Sequence, residues 1–106
     1  MSEGDRRKSA RIPWDGRVKI AGARTVFGTI VNLSDGGLLI EAGRSPFSVG
    51  SEVAVTFTLP GRDRPIAARA EVLRQESAGR LGLRFLRLSS EEHQAISAWV
   101  REAEGN

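Results

Sequence analysis

The sequence predicts a mainly β domain: a six-stranded antiparallel barrel closed by one C-terminal α-helix. Three observations predict it. Apolar and polar residues alternate with period two from Gly16 to Phe85, and turn residues interrupt the alternation at short intervals. After Ser89 the period changes to that of a helix. At 106 residues, with no internal repeat or linker, the chain is long enough for one modest core.

The elements follow in order. Val18 and Ile20 alternate with Arg17 and Lys19, and Gly22 ends that strand. The second strand, Thr25 to Leu33, carries Val26, Phe27, Ile30 and Val31. Asp35-Gly36-Gly37 then reads as a turn in which glycines take positive φ. Leu38 to Glu41 forms a short third strand, followed by a loop with Gly43, Pro46 and Gly50. Val53, Val55, Phe57 and Leu59 alternate with Glu52, Ala54, Thr56 and Thr58 in the fourth, and a turn runs from Pro60 to Pro65. Ile66 to Gln75 is the fifth strand. Leu81, Leu83 and Phe85 alternate with Arg80, Gly82 and Arg84 in the sixth.

Ser89 with Glu92 three residues later is a capping box, which starts a helix over about residues 89–104. Ile96, Trp99, Val100 and Ala103 form one apolar face, and Gly105 ends the helix. Six short strands followed by a helix suggest a barrel with the helix packed on an open end or edge, with Trp99 as the plug. Ahead of the barrel domain at 12–106, residues 1–11 are polar and basic. They read as a flexible arm. Pro13 disfavours helix at Ile12, and Trp14 is the first large apolar anchor.

Composition excludes several function classes. The formal charge is only +3, too mild for a strongly cationic nucleic-acid binder, although all the basic residues except Lys8 and Lys19 are arginine. Arginine forks suit phosphates and guanine edges, but a GC-rich genome explains the same bias. There is no cysteine, hence no disulfide and no thiolate metal site. The first residues are charged with no apolar stretch behind them, and no apolar run approaches membrane-spanning length. The expectation is a cytoplasmic protein without a membrane segment.

No catalytic constellation emerges. His93, the single histidine, reads as a helix-surface or capping residue. It has no partner at metal-ligand spacing and no serine in a strained elbow beside it. Glu91 and Glu92 favour the helix dipole, and Gly36-Gly37 extends to no nucleotide-binding glycine loop. The expectation is no enzyme, no metal and no cofactor.

Two segments stand out. Arg6-Arg7-Lys8-Ser9-Ala10-Arg11 is a basic run that would by itself be a solvated tail. Asn32-Leu33-Ser34-Asp35-Gly36-Gly37, at the exit of an apolar strand, would by itself be an ordinary turn. As an ordered pair they resemble the PilZ family, whose ligand site combines an RxxxR element with a D/NxSxxG element. Arg7 to Arg11 matches the first and Asn32 to Gly37 the second, with Asn32 where Asp is commoner. The spacing, the later strands and the C-terminal helix extend the resemblance over nearly the whole chain.

The resemblance implies a receptor for cyclic di-GMP that signals to a protein effector by ordering the arm, with motility or biofilm formation among the processes controlled. It implies ligand contacts from Arg7, Arg11, Asn32, Ser34, Gly36 and Gly37. A later-strand residue would face a guanine; Arg74 has the position and a planar head, although an ordinary exposed strand arginine reads equally well there. Arg6, just before RxxxR, is similar to members that hold two stacked ligand molecules. The chemistry suits these residues, because a guanidinium donates paired hydrogen bonds to phosphate or to guanine O6 and N7. Two other readings stay open: a PilZ-like scaffold that works through protein contacts alone, and a barrel for single-stranded nucleic acid. Against the latter, the chain has four Phe, two Trp and no Tyr, and most of these fall at core positions.

Overall fold

Each alternating stretch becomes a strand in the computed structural model, which describes residues 11–44, 47–76 and 79–105. The strands are β1 (Ile12–Pro13), β2 (Arg17–Ala21), β3 (Thr25–Leu33), β4 (Gly37–Glu41), β5 (Glu52–Phe57), β6 (Ile66–Glu76) and β7 (Arg80–Arg87), and the helix α1 is Ser90–Gly105. All pairings are antiparallel. The order β3-β2-β5-β6-β7-β4 returns to β3, so six strands close into a barrel with no open edge. The arm expected over residues 1–11 lies outside the described residues, apart from Arg11.

Strand β1 was not expected, because two residues carry no period. It extends the line of β2 along one edge of β3: Ile12 faces Leu33 and Pro13 faces Asn32, while β2 pairs further along with Thr25 to Thr29. Trp14-Asp15-Gly16 bridges the two, with Trp14 N–H donating to Val31 O at 3.1 Å and Ile30 N–H to Gly16 O at 2.7 Å. This short strand brings the end of the arm against Asn32 and Ser34.

The inward residues of the alternation form the core. Ile20, Ile30, Leu33, Ile40, Val55, Ala70, Val72 and Ile96 have no exposed surface. At the barrel end under α1, Trp14 packs on Trp99 with ring centroids 5.3 Å apart, and Phe57 lies 6.2 Å from Trp14 and 6.4 Å from Phe85. Trp99 is therefore part of the plug, with Trp14 completing it. The capping box forms as expected: Glu92 N–H donates to Ser89 Oγ at 3.1 Å and Ser89 N–H to Glu92 Oε1 at 3.2 Å.

Two β-bulges shape the face that follows. In β3 the register shifts between Ile30 and Asn32, leaving Val31 as the extra residue. In β6 Val72 faces Leu83 and Arg74 faces Gly82, leaving Leu73 extra. Inward residues of β6 fall on even numbers up to Val72, so strict alternation would aim Arg74 at the core. The bulge turns it outward.

Candidate functional site: a cleft across four strands

Paired residues in a sheet present their side chains to the same face, so register fixes the outer surface. One outer row runs Pro13, Asn32, Leu39, Gly82, Arg74 across β1, β3, β4, β7 and β6. The neighbouring outer row runs Gly37, Arg84, Glu71 across β4, β7 and β6. Arg11, one residue before the Ile12–Leu33 pair, reaches the cleft beside Ser34. An open cleft of about 170 Å³ lies over these rows, lined by Arg11, Ser34, Gly36, Gly37, Leu38, Leu39, Leu73, Arg74, Gly82, Leu83 and Arg84.

Five of the residues singled out by sequence therefore meet at one place: Arg11, Ser34, Gly36, Gly37 and Arg74. Asn32 does not line the cleft but stands beside Leu39 on the same face. Arg6 and Arg7 lie outside the described residues. Sequence reading missed Leu39, Leu73, Gly82 and Arg84. Alternation in β7 does put Gly82 and Arg84 outward, but only the pairing of β7 with β4 brings them to the motif.

The turn is built by its own side chain. Ser34 N–H donates to Gly37 O at 2.9 Å, the Ser34 hydroxyl donates to the same carbonyl at 3.3 Å, and Gly36 N–H donates to Ser34 Oγ at 3.3 Å. A hydroxyl oxygen has two acceptor sites, so one remains for a ligand. Phe85 N–H donates to Gly36 O at 2.8 Å and ties the turn to β7.

The two glycines do different work, and neither does what the turn predicted. Positive φ occurs at Gly43, Gly50, Gly61 and Gly79, not at Gly36 or Gly37. A β-carbon on Gly37 would stand 2.0 Å from Leu83 O and 3.1 Å from Arg84 Cα, so glycine is needed for the close approach of β4 to β7. A β-carbon on Gly36 would meet nothing within 4 Å.

Three arginines line the cleft, and two of them are held by carboxylates. Arg74 Nε donates to Glu76 Oε2 at 2.6 Å, and Arg84 Nη2 donates to Glu71 Oε1. Arg11 is exposed and has no ion-pair partner among the described residues. All three side chains are planar multidentate donors suited to phosphate or a purine. Among the described residues, no group of three or more His, Asp or Glu could hold a metal ion. Among the described residues, no helix is long and apolar enough to cross a membrane.

Comparison with known proteins agrees with this geometry. The sequence pattern of the PilZ domain matches residues 5–102. Among solved structures the fold is similar to the Bacillus subtilis inhibitor of motility MotI/DgrA, with a TM-score of 0.83 and 19% identity over 93% of this chain. This chain spans about half of that protein, 51% of its length. It is also similar to the PilZ domain of CeSA from a cellulose-synthesising bacterium, with a TM-score of 0.71 and 23% identity over 91% of this chain and 99% of that one. The PilZ domain of YcgR from Escherichia coli, determined with c-di-GMP, gives a TM-score of 0.72 and 18% identity over 94% and 92%. No curated protein matches it in sequence. Barrel, helix and paired sequence elements converge on one assignment: the chain belongs to the PilZ domain family.

Proposed function

We propose that this chain is a cytoplasmic cyclic di-GMP receptor that passes the level of the second messenger to a protein effector. The observation that carries the reading is the meeting of the two sequence elements: Arg11 from one and Ser34, Gly36 and Gly37 from the other line one cleft, with Arg74 on its wall. Binding of c-di-GMP by the YcgR domain supports the same ligand class, and the role of MotI/DgrA as an inhibitor of motility supports motility as an output.

The ligand is a dianion with two guanines. The cleft, at about 170 Å³, is smaller than pockets that enclose drug-sized ligands, which run roughly 300–1,000 Å³. The nucleotide therefore lies across the barrel wall, and the arm with Arg6 and Arg7 covers its outer side. Arg7 and Arg11 hold phosphate or guanine edges, Asn32 and Ser34 add short polar contacts, and Arg74 stacks on a base. Arg6 favours a second, stacked ligand molecule. Ordering of the arm on binding supplies the change that a partner reads.

Calorimetric titration with cyclic di-GMP, with GMP and cyclic di-AMP as controls, tests the reading. Saturable heat with cyclic di-GMP alone is expected, with two ligands per chain if Arg6 acts as proposed. Arg7→Ala and Arg11→Ala abolish binding while the barrel still melts cooperatively. Absence of heat in the native chain would transfer the function to protein contacts alone.

A further inference from the structure

We propose that Arg84, which belongs to neither sequence element, contacts a phosphate of the bound nucleotide, and that Glu71 holds it in place. The inference rests on the reading of the cleft as the cyclic di-GMP site. Arg84 lines that cleft and lies directly across the β4–β7 ladder from Gly37. Because Gly37 has no side chain, β4 presents only bare backbone opposite Arg84. A β-carbon there would come within 3.1 Å of Arg84 Cα.

On its other side Arg84 faces Glu71 across the β6–β7 ladder and donates from Nη2 to Glu71 Oε1. A guanidinium carries five N–H donors, so this bond orients the head and leaves donors free. The Arg84 side chain is 56% exposed and belongs to the lining of the cleft, so a ligand lying there can reach those donors. The Arg74 head is laid along the sheet at Gly82 and suits a base face. Arg84, beside the turn, is left for the phosphate.

Arg69 provides the internal control. It sits on β6, is likewise paired with a carboxylate, Glu52 at 2.8 Å, and does not line the cleft. Loss of a charge-assisted hydrogen bond typically costs about 1.5–3 kcal/mol, so Arg84→Ala is expected to weaken cyclic di-GMP binding roughly ten- to a hundredfold. Arg84→Lys, which keeps the charge for a phosphate, recovers part of that loss. Glu71→Gln weakens binding a few-fold with the charge of Arg84 intact.

Calorimetric dissociation constants for the full chain and these variants, each checked for cooperative melting, decide the matter. An Arg84→Ala affinity equal to that of Arg69→Ala and the native chain overturns the contact, and leaves the receptor reading standing. An Arg84→Lys chain that melts cooperatively yet binds roughly a hundredfold more weakly than the native chain overturns the phosphate assignment, whether or not the alanine variant folds. Tighter binding in Glu71→Gln overturns the holding role of Glu71. No binding by the native chain overturns the receptor reading and this inference with it.

Discussion

Arg74 lies across the bare backbone of Gly82: a β-carbon on Gly82 would stand 3.2 Å from both Cγ and Cζ of Arg74. The two residues face each other in the β6–β7 ladder, just past the bulge at Leu73. Glu76 holds the guanidinium from the far end, with its Oε2 2.6 Å from Nε. Glycine, bulge and carboxylate together lay the cation flat along the outer wall, the pose in which an arginine stacks on a purine.

Gly82→Ala should therefore lift Arg74 off the sheet without emptying the core. The contact is tight but faces solvent, and an arginine stem can move, so the stability cost stays at or below about 1 kcal/mol. Cyclic di-GMP affinity should fall several-fold, and Arg74→Ala should fall at least as far. Calorimetry on both variants and on the double variant checks the link, because the second substitution adds little if Gly82 acts through Arg74.

Adjacent glycines of the turn should respond in opposite ways. Alanine at Gly37 drives a methyl into Leu83 O and must part β4 from β7, at a cost of about 3 kcal/mol or more. Alanine at Gly36 enters open space at an ordinary φ and should change stability by no more than about 0.5 kcal/mol. Urea denaturation of the two variants separates a packing glycine from a permissive one. Equal destabilisation would mean that the close approach of β4 to β7 is not the reason for Gly37.

What the sequence made legible and what it hid follow from the range of the signal. Alternation is local, so β2 to β7 were readable, as was the helix from its Ser89–Glu92 cap and its apolar face. The two-residue β1 has no period, and its existence depends on a partner strand about twenty residues away. Bulges break the local rule: by alternation alone, Arg74 belongs inside the barrel. Arg84 and Gly82 could be assigned to the outer face, but the pairing of Leu39 with Gly82 joins residues far apart in the chain. The motif residues were legible as types, while the reason for Gly37 was not, because it lies in the approach of a non-adjacent strand.

The aromatic plug connects stability to the arm. The Trp14 ring rests on Gly16, where a β-carbon would come 2.3 Å from Cζ2, and packs on Trp99 and Phe57. Trp99→Ala removes one side of that contact, and Trp14→Ala removes its centre. Each should cost about 2–3 kcal/mol, below the value for a fully buried tryptophan because both rings are partly exposed. Trp14→Ala should also weaken ligand binding, since Trp14 anchors β1 and β1 sets Arg11 beside Ser34. Trp99→Ala should leave affinity closer to native. Denaturant midpoints paired with calorimetry check both halves of this expectation.

Acid should loosen the helix first. Burial alone would raise the pKa of Glu92, but hydrogen bonds from the Ala67 backbone and from the backbone and hydroxyl of Ser89 outweigh it and bring the value below its ordinary one. Ala67 N–H donates to Glu92 Oε2 at 3.0 Å, so this carboxylate both closes the capping box and fastens α1 to β6. A group with a lowered folded pKa stabilises the fold above its unfolded value, near pH 4.3 for glutamate. That contribution is lost as the pH falls through the lower folded value. Stability should therefore be flat with respect to this group from neutral pH down to about pH 5 and decline below it. Glu92→Gln keeps an acceptor without the charge, so it should be less stable at neutral pH by about 1 kcal/mol and show a shallower acid decline. Thermal melting of the two proteins between pH 3 and pH 7 checks it, and parallel curves would mean that the carboxylate charge contributes nothing to the dock.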